Sequence, residues 1–453
     1  MVTIFKENLI VAKKILIQGG RVINPKTNLD STMDVLISGS KIESVAPKIQ
    51  RTKDYTLIDA SNYLISPGFI DIHCHLREPG EEYKETIITG TAAAAAGGFT
   101  TICAMPNTIP AMDNRSVIEF INNKSKEETS VDIYPIGAVT KGRKGEELTE
   151  MADMAKAGVI GFSDDGNPVF DPNIMRQALA YSSSLNLPII NHCEVPELSK
   201  GAHMNESWVS TLLGIKGMPN SAEDIMVARD ISLSKLTGGH IHIAHVSTKG
   251  SIDLIRKAKD EGVNITCEVT PHHLTLTDKS VLGINNDTGN YSPITTNSYN
   301  TMAKVNPPLR SFEDKNAMIE GILDGTIDII ATDHAPHSQV EKMCTMNEAA
   351  FGISVLETAL PSLISLTETT KIPIPLLIEK LTIAPAKFLN LDIGSIEPEK
   401  VADLTIFDPT EEWEIQPNNF LSKGKNTPLE GDILKGKIKT TIKKGVPIYT
   451  NGK

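Results

Sequence analysis

The stretch FIDIHCHLREP (residues 69–79) places two histidines at the end of an apolar run that is typical of a buried strand. His73 and His75 are two positions apart, and because side chains alternate between the faces of a strand, both imidazoles lie on one face. Two imidazoles can bind one metal ion and leave other coordination positions open. The stretch therefore predicts half of a metal site whose remaining ligands come from elsewhere in the chain.

Further residues of metal-binding type stand at the ends of later apolar runs. They are Asp164 and Asp165 in GFSDDG, His192 and Glu194 in INHCE, His240, His242 and His245 in HIHIAHV, His272 and His273 in TPHH, and Asp333 and His334 in ATDHAPH. Position favours His245 as a ligand, with His242 in a supporting or core role. Asp333 is placed both to bind a metal and to move protons. For His272 and His273, ligation and a loop or supporting role are equally open.

The ligand set is imidazole and carboxylate without thiolates, which favours zinc over manganese or iron. Four histidines and two aspartates exceed the three protein ligands of a single catalytic zinc, so the set favours two ions that share a carboxylate and a hydroxide. Two ions about 3.5 to 4 Å apart lower the pKa of a bridging water and polarise a carbonyl. This chemistry indicates hydrolysis of an amide-like bond.

The runs that carry these residues predict the fold. From residue 69 onward, eight apolar strand-like runs alternate with helical patterns, which is the signature of an α/β fold with a (β/α)8 TIM-like barrel. In such a barrel the catalytic groups lie at the carboxyl ends of the strands. We therefore expect the clusters above to meet on one face.

Both ends of the chain carry short alternating segments separated by turn residues, which predicts a small antiparallel sheet. We expect residues 1–66 and 391–453 to form one small β domain, interrupted by the metal-dependent barrel of residues 67–390. Residues 281–300 are rich in Asn, Thr, Ser and Gly and predict a long excursion after the seventh strand. The polar residues 334–350 have the length of a mobile active-site cover.

Composition limits the partners. The 453 residues carry a net charge of −12, which argues against nucleic acid or an acidic membrane surface as the main partner. No apolar run approaches the roughly 20 residues that span a bilayer, so we expect a cytoplasmic protein that binds a small molecule. A homodimer is compatible with the sequence, which does not itself determine the assembly. The five cysteines are widely spaced and predict buried free thiols.

Several longer motifs resemble one family. The HxH of the first strand, the carboxylate of the fourth, the histidines of the fifth and sixth and the aspartate of the eighth are similar to the amidohydrolase superfamily. Within it, HLREPG (75–80), AMPNT (104–108), TPHHL (270–274), NPPLR (306–310) and ATDHAPH (331–337) resemble dihydroorotases, particularly the longer bacterial form. The resemblance covers essentially the whole chain.

The resemblance implies roles for individual residues. The implied metal ligands are His73, His75, His192, His245 and Asp333, with Asp165 bridging two zinc ions where many relatives use a carbamylated lysine. The implied contacts to the substrate carboxylate are Arg77, Asn107 and His337, and those to its ring are Asn306 and the backbone of Phe351 and Gly352. Asp333 would be the catalytic acid and base.

The family reaction is the reversible cyclisation of N-carbamoyl-L-aspartate to (S)-dihydroorotate in pyrimidine (UMP) synthesis. In the ring-opening direction, a metal-activated hydroxide attacks the ring amide, and Asp333 takes the proton and returns it to the leaving nitrogen.

Hydantoinases, dihydropyrimidinases and allantoinases share the fold and metal chemistry and are alternatives, as is a non-catalytic scaffold of the pathway. REPG together with MPNT favours a carboxylate-bearing substrate, because the neutral ring of hydantoin needs no arginine. A scaffold would have lost metal ligands, whereas every ligand of the family motif is present in this chain.

Overall fold

The structure is a computed structural model that describes residues 14–285 and 294–452. Residues 1–13 of the predicted N-terminal segment and residues 286–293 of the predicted 281–300 excursion lie outside the described residues. Within these ranges, no helix is long and apolar enough to cross a membrane.

The strands and helices follow one another with short connections. The strands are β1 Ile15–Asn24, β2 Leu29–Ser38, β3 Lys41–Ala46, β4 Thr56–Asp59, β5 Leu64–Pro67, β6 Phe69–Cys74, β7 Phe99–Ala104, β8 Asp132–Pro135, β9 Ile189–Asn191, β10 Met204–Asn205, β11 Gly217–Met218, β12 Ile241–Ile243, β13 Ile265–Val269, β14 Ile329–Ile330, β15 Leu404–Glu414, β16 Ile433–Lys443 and β17 Val446–Thr450. The α-helices are α1 Ile87–Ala96, α2 Arg115–Glu128, α3 Met151–Lys156, α4 Pro172–Leu185, α5 Pro196–Ser199, α6 Trp208–Leu213, α7 Ser221–Thr237, α8 Lys249–Asp260, α9 Pro271–Thr275, α10 Phe312–Leu323, α11 Gln339–Lys342, α12 Ala359–Thr369, α13 Ile374–Leu381 and α14 Ile383–Phe388.

The predicted (β/α)8 barrel is confirmed. β6, β7 and β8 form one parallel sheet, and β9, β12, β13 and β14 form another. The predicted fourth strand is reduced to a bridge residue, Phe162, which pairs with Gly137 on one side and Ile189 on the other. A parallel bridge between Cys74 and His334 joins the first strand to the end of the eighth and closes the barrel.

Strands from both ends of the chain form the second sheet, in the order β17-β16-β15-β5-β1-β2-β3, with β4 also paired to β1. β5 and β15 are antiparallel and join the two ends. The prediction of an antiparallel sheet is wrong in one respect, because β4 and β5 run parallel to β1. After the β2–β3 hairpin the chain returns to the far edge of β1 in the same direction, so the sheet is mixed. The domain boundaries near residues 66 and 390 stay predictions.

Helix caps position the residues that follow the barrel strands. Thr248 accepts a hydrogen bond from Ser251 N–H and starts α8 three residues after His245. Thr270 caps α9 in the same way, so His272 and His273 lie in the first turn of a short helix. Strand ends and helix starts are thus close together, which keeps the polar side chains between them near the barrel axis.

Candidate metal centre and active site

Six predicted ligands from six strand ends lie together in the buried interior of the barrel mouth. They are His73, His75, Asp165, His192, His245 and Asp333. Two groups of them have ligand atoms within 4.8 Å of one another: His73, His75 and Asp333, and His73, Asp165 and His245. The two groups share His73 and adjoin each other.

The first group surrounds Asp333 and one oxygen of Asp165. His75 Nε2 is 2.9 Å from Asp333 Oδ1, and His73 Nε2 is 3.6 Å from the same oxygen. Asp165 Oδ2 lies 3.4 Å from His73 Nε2 and 3.5 Å from His75 Nε2. Two imidazole nitrogens and two carboxylate oxygens therefore converge on one point.

The second group faces the other oxygen of Asp165. Asp165 Oδ1 lies 3.3 Å from His245 Nε2 and 3.7 Å from His192 Nδ1, and these two nitrogens are 2.9 Å apart. The carboxylate thus presents one oxygen to each group. This is the geometry that a bridging carboxylate between two ions requires.

The donor atoms fit divalent cations. His73 Nε2 is completely buried and makes no hydrogen bond of good geometry, although two carboxylates lie within 3.6 Å. Burial raises the pKa of Asp165 and Asp333, but neighbouring histidines outweigh it and hold both pKa values below the usual range. Both aspartates are therefore carboxylates at neutral pH. A buried set of imidazole nitrogens and carboxylate oxygens is typical of a zinc site.

Glu268, which the sequence analysis missed, orients the ligands from below. Glu268 Oε1 lies 2.5 Å from His73 Nδ1 and accepts the His245 backbone N–H at 3.3 Å, and Oε2 lies 3.3 Å from His242 Nε2. Burial raises the pKa of this carboxyl, but His73 and His242 lower it to about 2. His73 thereby directs Nε2 toward the centre. The available signal was an acidic residue inside an apolar strand, ITCEV.

The choices left open by residue type are separated by geometry. Asp164 accepts the N–H groups of Val139 and Thr140 at 2.9 and 3.1 Å and does not join the cluster. Glu194 lies behind His192, with its Oε2 3.1 Å from Nε2 of that ring. Burial lowers the pKa of His192, but hydrogen bonds to Asp165 and Glu194 raise it to about 10.

The two histidines of TPHH lie outside both groups of candidate ligands. His273 Nδ1 is 2.8 Å from Thr270 Oγ1, and its Nε2 is 3.1 Å from the Pro307 carbonyl. His273 therefore supports the loop that carries Asn306. His272 is buried and neither of its ring nitrogens has a hydrogen-bond partner.

A cavity of about 190 Å³ opens beside the cluster. It is lined by His75, Arg77, Asn107, Asp165, Gly166, His192, Val305, Asn306, Asp333, Ala335, His337, Phe351 and Gly352. All six predicted substrate-binding residues line this cavity, next to four of the predicted ligands. Of the described residues of 281–300, none lines it.

Arg77 is buried at the edge of this cavity. Its Nε donates to the Pro336 carbonyl at 3.2 Å, and its Nη2 is 3.3 Å from His337 Nε2. Burial, with Arg77 close by, lowers the pKa of His337 to about 2, so this imidazole is neutral. Asn107 Oδ1 lies 2.8 Å from His75 Nδ1, so this predicted substrate contact also orients a predicted ligand.

The opposite wall contains Asn306 and Gly352. Asn306 Nδ2 donates to Glu194 at 2.8 Å, while its buried Oδ1 has no partner. The Gly352 N–H donates to the Lys304 carbonyl at 2.9 Å, and the Gly352 carbonyl accepts from Lys342 Nζ at 3.0 Å. Both backbone groups of Gly352 therefore have protein partners, and its value to the cavity is the absence of a side chain. A Cβ there would lie 2.6 Å from the Ala335 carbonyl oxygen.

The backbone is strained at three of the site residues. Arg77, His245 and Asp333 have φ values of 61°, 30° and 46°, in the left-handed region that residues other than glycine seldom adopt. Such strain persists where the surrounding structure enforces it and concentrates at functional sites.

The predicted cover, residues 334–350, contains α11 and is anchored to the cavity wall. Lys342 is buried, and its Nζ donates to the carbonyls of Lys304, Ala350 and Gly352 at 3.1, 2.8 and 3.0 Å. Burial lowers the pKa of Lys342 to about 7. Mobility of this segment stays a prediction. The five cysteines are free thiols, as predicted; four are buried and Cys344 is partly buried.

Fold and site together define an amidohydrolase-type enzyme: a (β/α)8 barrel with groups of His and Asp at its mouth that could bind metal. A family model described as dihydro-orotase-like matches residues 62–251. Dihydroorotases of Syntrophus aciditrophicus, Acetivibrio thermocellus and Pelotomaculum thermopropionicum are 46%, 47% and 49% identical to this chain. The alignments cover 96%, 95% and 95% of this chain and 99%, 97% and 97% of the relatives. The chain belongs to the dihydroorotase family.

Solved structures show the same fold at greater distance. An L-hydantoinase of Arthrobacter aurescens superimposes with a TM-score of 0.84 at 21% identity, covering 97% of this chain and 96% of that chain. A dihydropyrimidinase of Brevibacillus agri gives 0.82 at 21% identity, with coverages of 97% and 95%. These likenesses support the barrel and the chain-end sheet and carry no argument about the substrate.

Proposed function

We propose that this chain catalyses the reversible cyclisation of N-carbamoyl-L-aspartate to (S)-dihydroorotate, a step of pyrimidine nucleotide synthesis. The observation that carries the proposal is one small cavity in which a buried guanidinium, Arg77, stands near a dense cluster of imidazoles and carboxylates. The cation suits a substrate with a free carboxylate, and the cluster suits attack on an amide. The near-full-length identity to curated dihydroorotases supports the same reaction.

In this proposal two Zn²⁺ ions occupy the two groups. His73, His75 and Asp333 would hold one ion, His192 and His245 the other, and Asp165 would bridge them. When bound, such ions polarise a carbonyl and lower the pKa of a water to near neutrality. The opposed oxygens of Asp165 support the pair, since each faces a different group.

Asp333 would move the proton. The lowered pKa of its carboxyl keeps it ionised at neutral pH, so that it is ready to accept a proton as the base. Its left-handed backbone turns the carboxylate toward the cavity, where the substrate amide would lie. In ring opening Asp333 would then deliver that proton to the leaving nitrogen, and in ring closure it would act in reverse.

The remaining residues would bind and orient the substrate. Arg77 would bind its carboxylate through charge-assisted hydrogen bonds, helped by Asn107, and burial strengthens such bonds because water is excluded. His337 would share its Nε2–H between the Phe351 carbonyl, now 2.8 Å away, and the carboxylate. The buried and unpaired Oδ1 of Asn306 would accept a ring N–H, which supplies its missing partner.

The proposal includes a cytoplasmic location and a homodimeric assembly. Five free cysteines suit a reducing compartment. Cell fractionation tests the location, and light scattering of the purified protein tests the assembly; a monomer or a higher oligomer would contradict the second point.

Ring opening should be measured on dihydroorotate, hydantoin, dihydrouracil and allantoin, before and after chelation. We expect turnover of dihydroorotate only, and its loss after chelation. Turnover of hydantoin with dihydroorotate inert would assign the chain to a different cyclic amidase. Inactivity on all four with metal bound would favour a scaffold.

A further inference from the structure

We infer that Asn426, from the C-terminal segment between β15 and β16, is a positioning residue for substrate binding. The inference rests on the proposed function, because it concerns the wall that would face the substrate carboxylate. We call residues 335–337 and 351–352 the carboxylate wall, since they line the cavity beside Arg77. Asn426 does not line the cavity itself.

Asn426 is 2% exposed, and every hydrogen-bonding position of its side chain is used. Its Oδ1 accepts the His337 backbone N–H at 2.9 Å and the Ser354 hydroxyl at 2.9 Å. Its Nδ2 donates to the carbonyls of Ala335 and Gly352, both at 3.0 Å. Only a carboxamide offers two acceptor and two donor positions in one plane. The side chain therefore joins both segments of the wall.

The wall has one backbone link and depends on Asn426 for the next. Ala335 N–H donates to the Ile353 carbonyl at 2.9 Å, within the bridge between His334 and Ile353. Beyond this bridge the Ala335 and Gly352 carbonyls turn toward Nδ2 of Asn426. The carboxamide thus continues a ladder that the two segments do not continue themselves.

The C-terminal segment approaches the wall at backbone distance. A Cβ at Gly424 would lie 2.4 Å from Pro336 Cβ and 2.6 Å from Ser354 Oγ, so only glycine permits this approach. The Ser354 N–H also donates to the Asn426 carbonyl at 2.8 Å. Backbone and side chain of the segment together hold the wall from behind.

The position of Arg77 follows from the wall. Its Nε donates to the Pro336 carbonyl, which lies between the two wall residues, Ala335 and His337, that Asn426 binds. Loss of the carboxamide would loosen this carbonyl and, with it, the guanidinium. Since Asn426 contacts no predicted metal ligand, we expect the defect in substrate affinity and not in the metal centre.

The test compares wild type with Asn426→Ala, Asn426→Asp and the control Asn418→Ala, which alters an exposed asparagine of the same segment. For each protein, kcat and KM on dihydroorotate, zinc content and Tm are measured. In Asn426→Ala we expect KM to rise about tenfold, equivalent to about 1.4 kcal/mol, while kcat stays within about threefold. Zinc content should be unchanged, and Asn418→Ala should behave as wild type.

Asn426→Asp keeps the volume and both accepted bonds but turns a second oxygen toward two carbonyls. We expect its KM to rise at least as much as in Asn426→Ala, and this variant decides the question if the alanine variant does not fold. An unchanged KM in a folded variant overturns the inference. So does a joint fall of zinc content and kcat at constant KM, which would mean a general structural role. A wild-type protein inactive on dihydroorotate would instead refute the proposed function.

Discussion

Replacing Glu268 by Gln should weaken metal binding without touching a metal ligand. Glu268 is fully buried and its carboxylate lies 2.5 Å from His73 Nδ1. The charge holds the proton on Nδ1, so that Nε2 presents its lone pair to Asp165 and Asp333. In Glu268→Gln the side-chain shape is retained, but the charge is lost and the amide can turn an N–H toward His73.

The magnitude follows from this contact. A hydrogen bond to a charged group contributes about 1.5 to 3 kcal/mol, and loss of a carboxylate partner of a metal-binding histidine typically weakens metal affinity 10- to 100-fold. The amide oxygen of Gln still accepts from Nδ1 in one orientation, so we expect roughly a tenfold loss, or about 1.4 kcal/mol. Glu268→Ala removes the partner altogether and should approach a hundredfold loss.

The assay is competition for zinc between each purified protein and a chelator of known affinity. Glu357→Gln is the matched control, because Glu357 is a mostly buried glutamate whose carboxyl accepts the N–H groups of Leu421 and Ser422. Burial raises the pKa of Glu357 to about 7, so its amide replacement changes little charge. Equal zinc affinity in Glu268→Gln and wild type would refute the orienting role of Glu268. Weaker affinity in both variants would point to a general effect of altered buried glutamates.

Three further outcomes are expected. Arg77→Met should raise KM for dihydroorotate roughly 10- to 100-fold with a smaller change in kcat, because a charge-assisted hydrogen bond is lost; a fall confined to kcat would contradict carboxylate binding. Asp333→Ala should lower kcat by at least about a thousandfold, since it removes both a general base and a predicted ligand; steady-state assays with zinc in excess measure this, and near-normal turnover would exclude the proton-transfer role. Removal of zinc by a chelator should abolish ring opening, and titration with zinc should restore it with a plateau at two ions per chain; a plateau at one would contradict bridging by Asp165.

Much of the site can be predicted from the sequence because strand geometry is local. His73 and His75 share a face through alternation alone, and the barrel pattern brings the ends of successive parallel strands to one face. The eight apolar runs were therefore sufficient for the barrel. The motif resemblance then identified the residues that line the cavity, including Arg77 and Asn306.

The tertiary structure decided what depends on contacts between distant segments. The direction of β4 and β5 depends on the path by which the chain returns to β1, and the reduced fourth strand on where Phe162 meets its neighbours. Glu268 has the residue type of a ligand, but only its distance to His73 gives it an orienting role. Asn426 lies 91 positions from Ala335, and no local pattern links a polar loop residue to a carbonyl that far away in the chain. Spacing and residue type determined which side chains can do chemistry; folding decided which buried partners hold them in place.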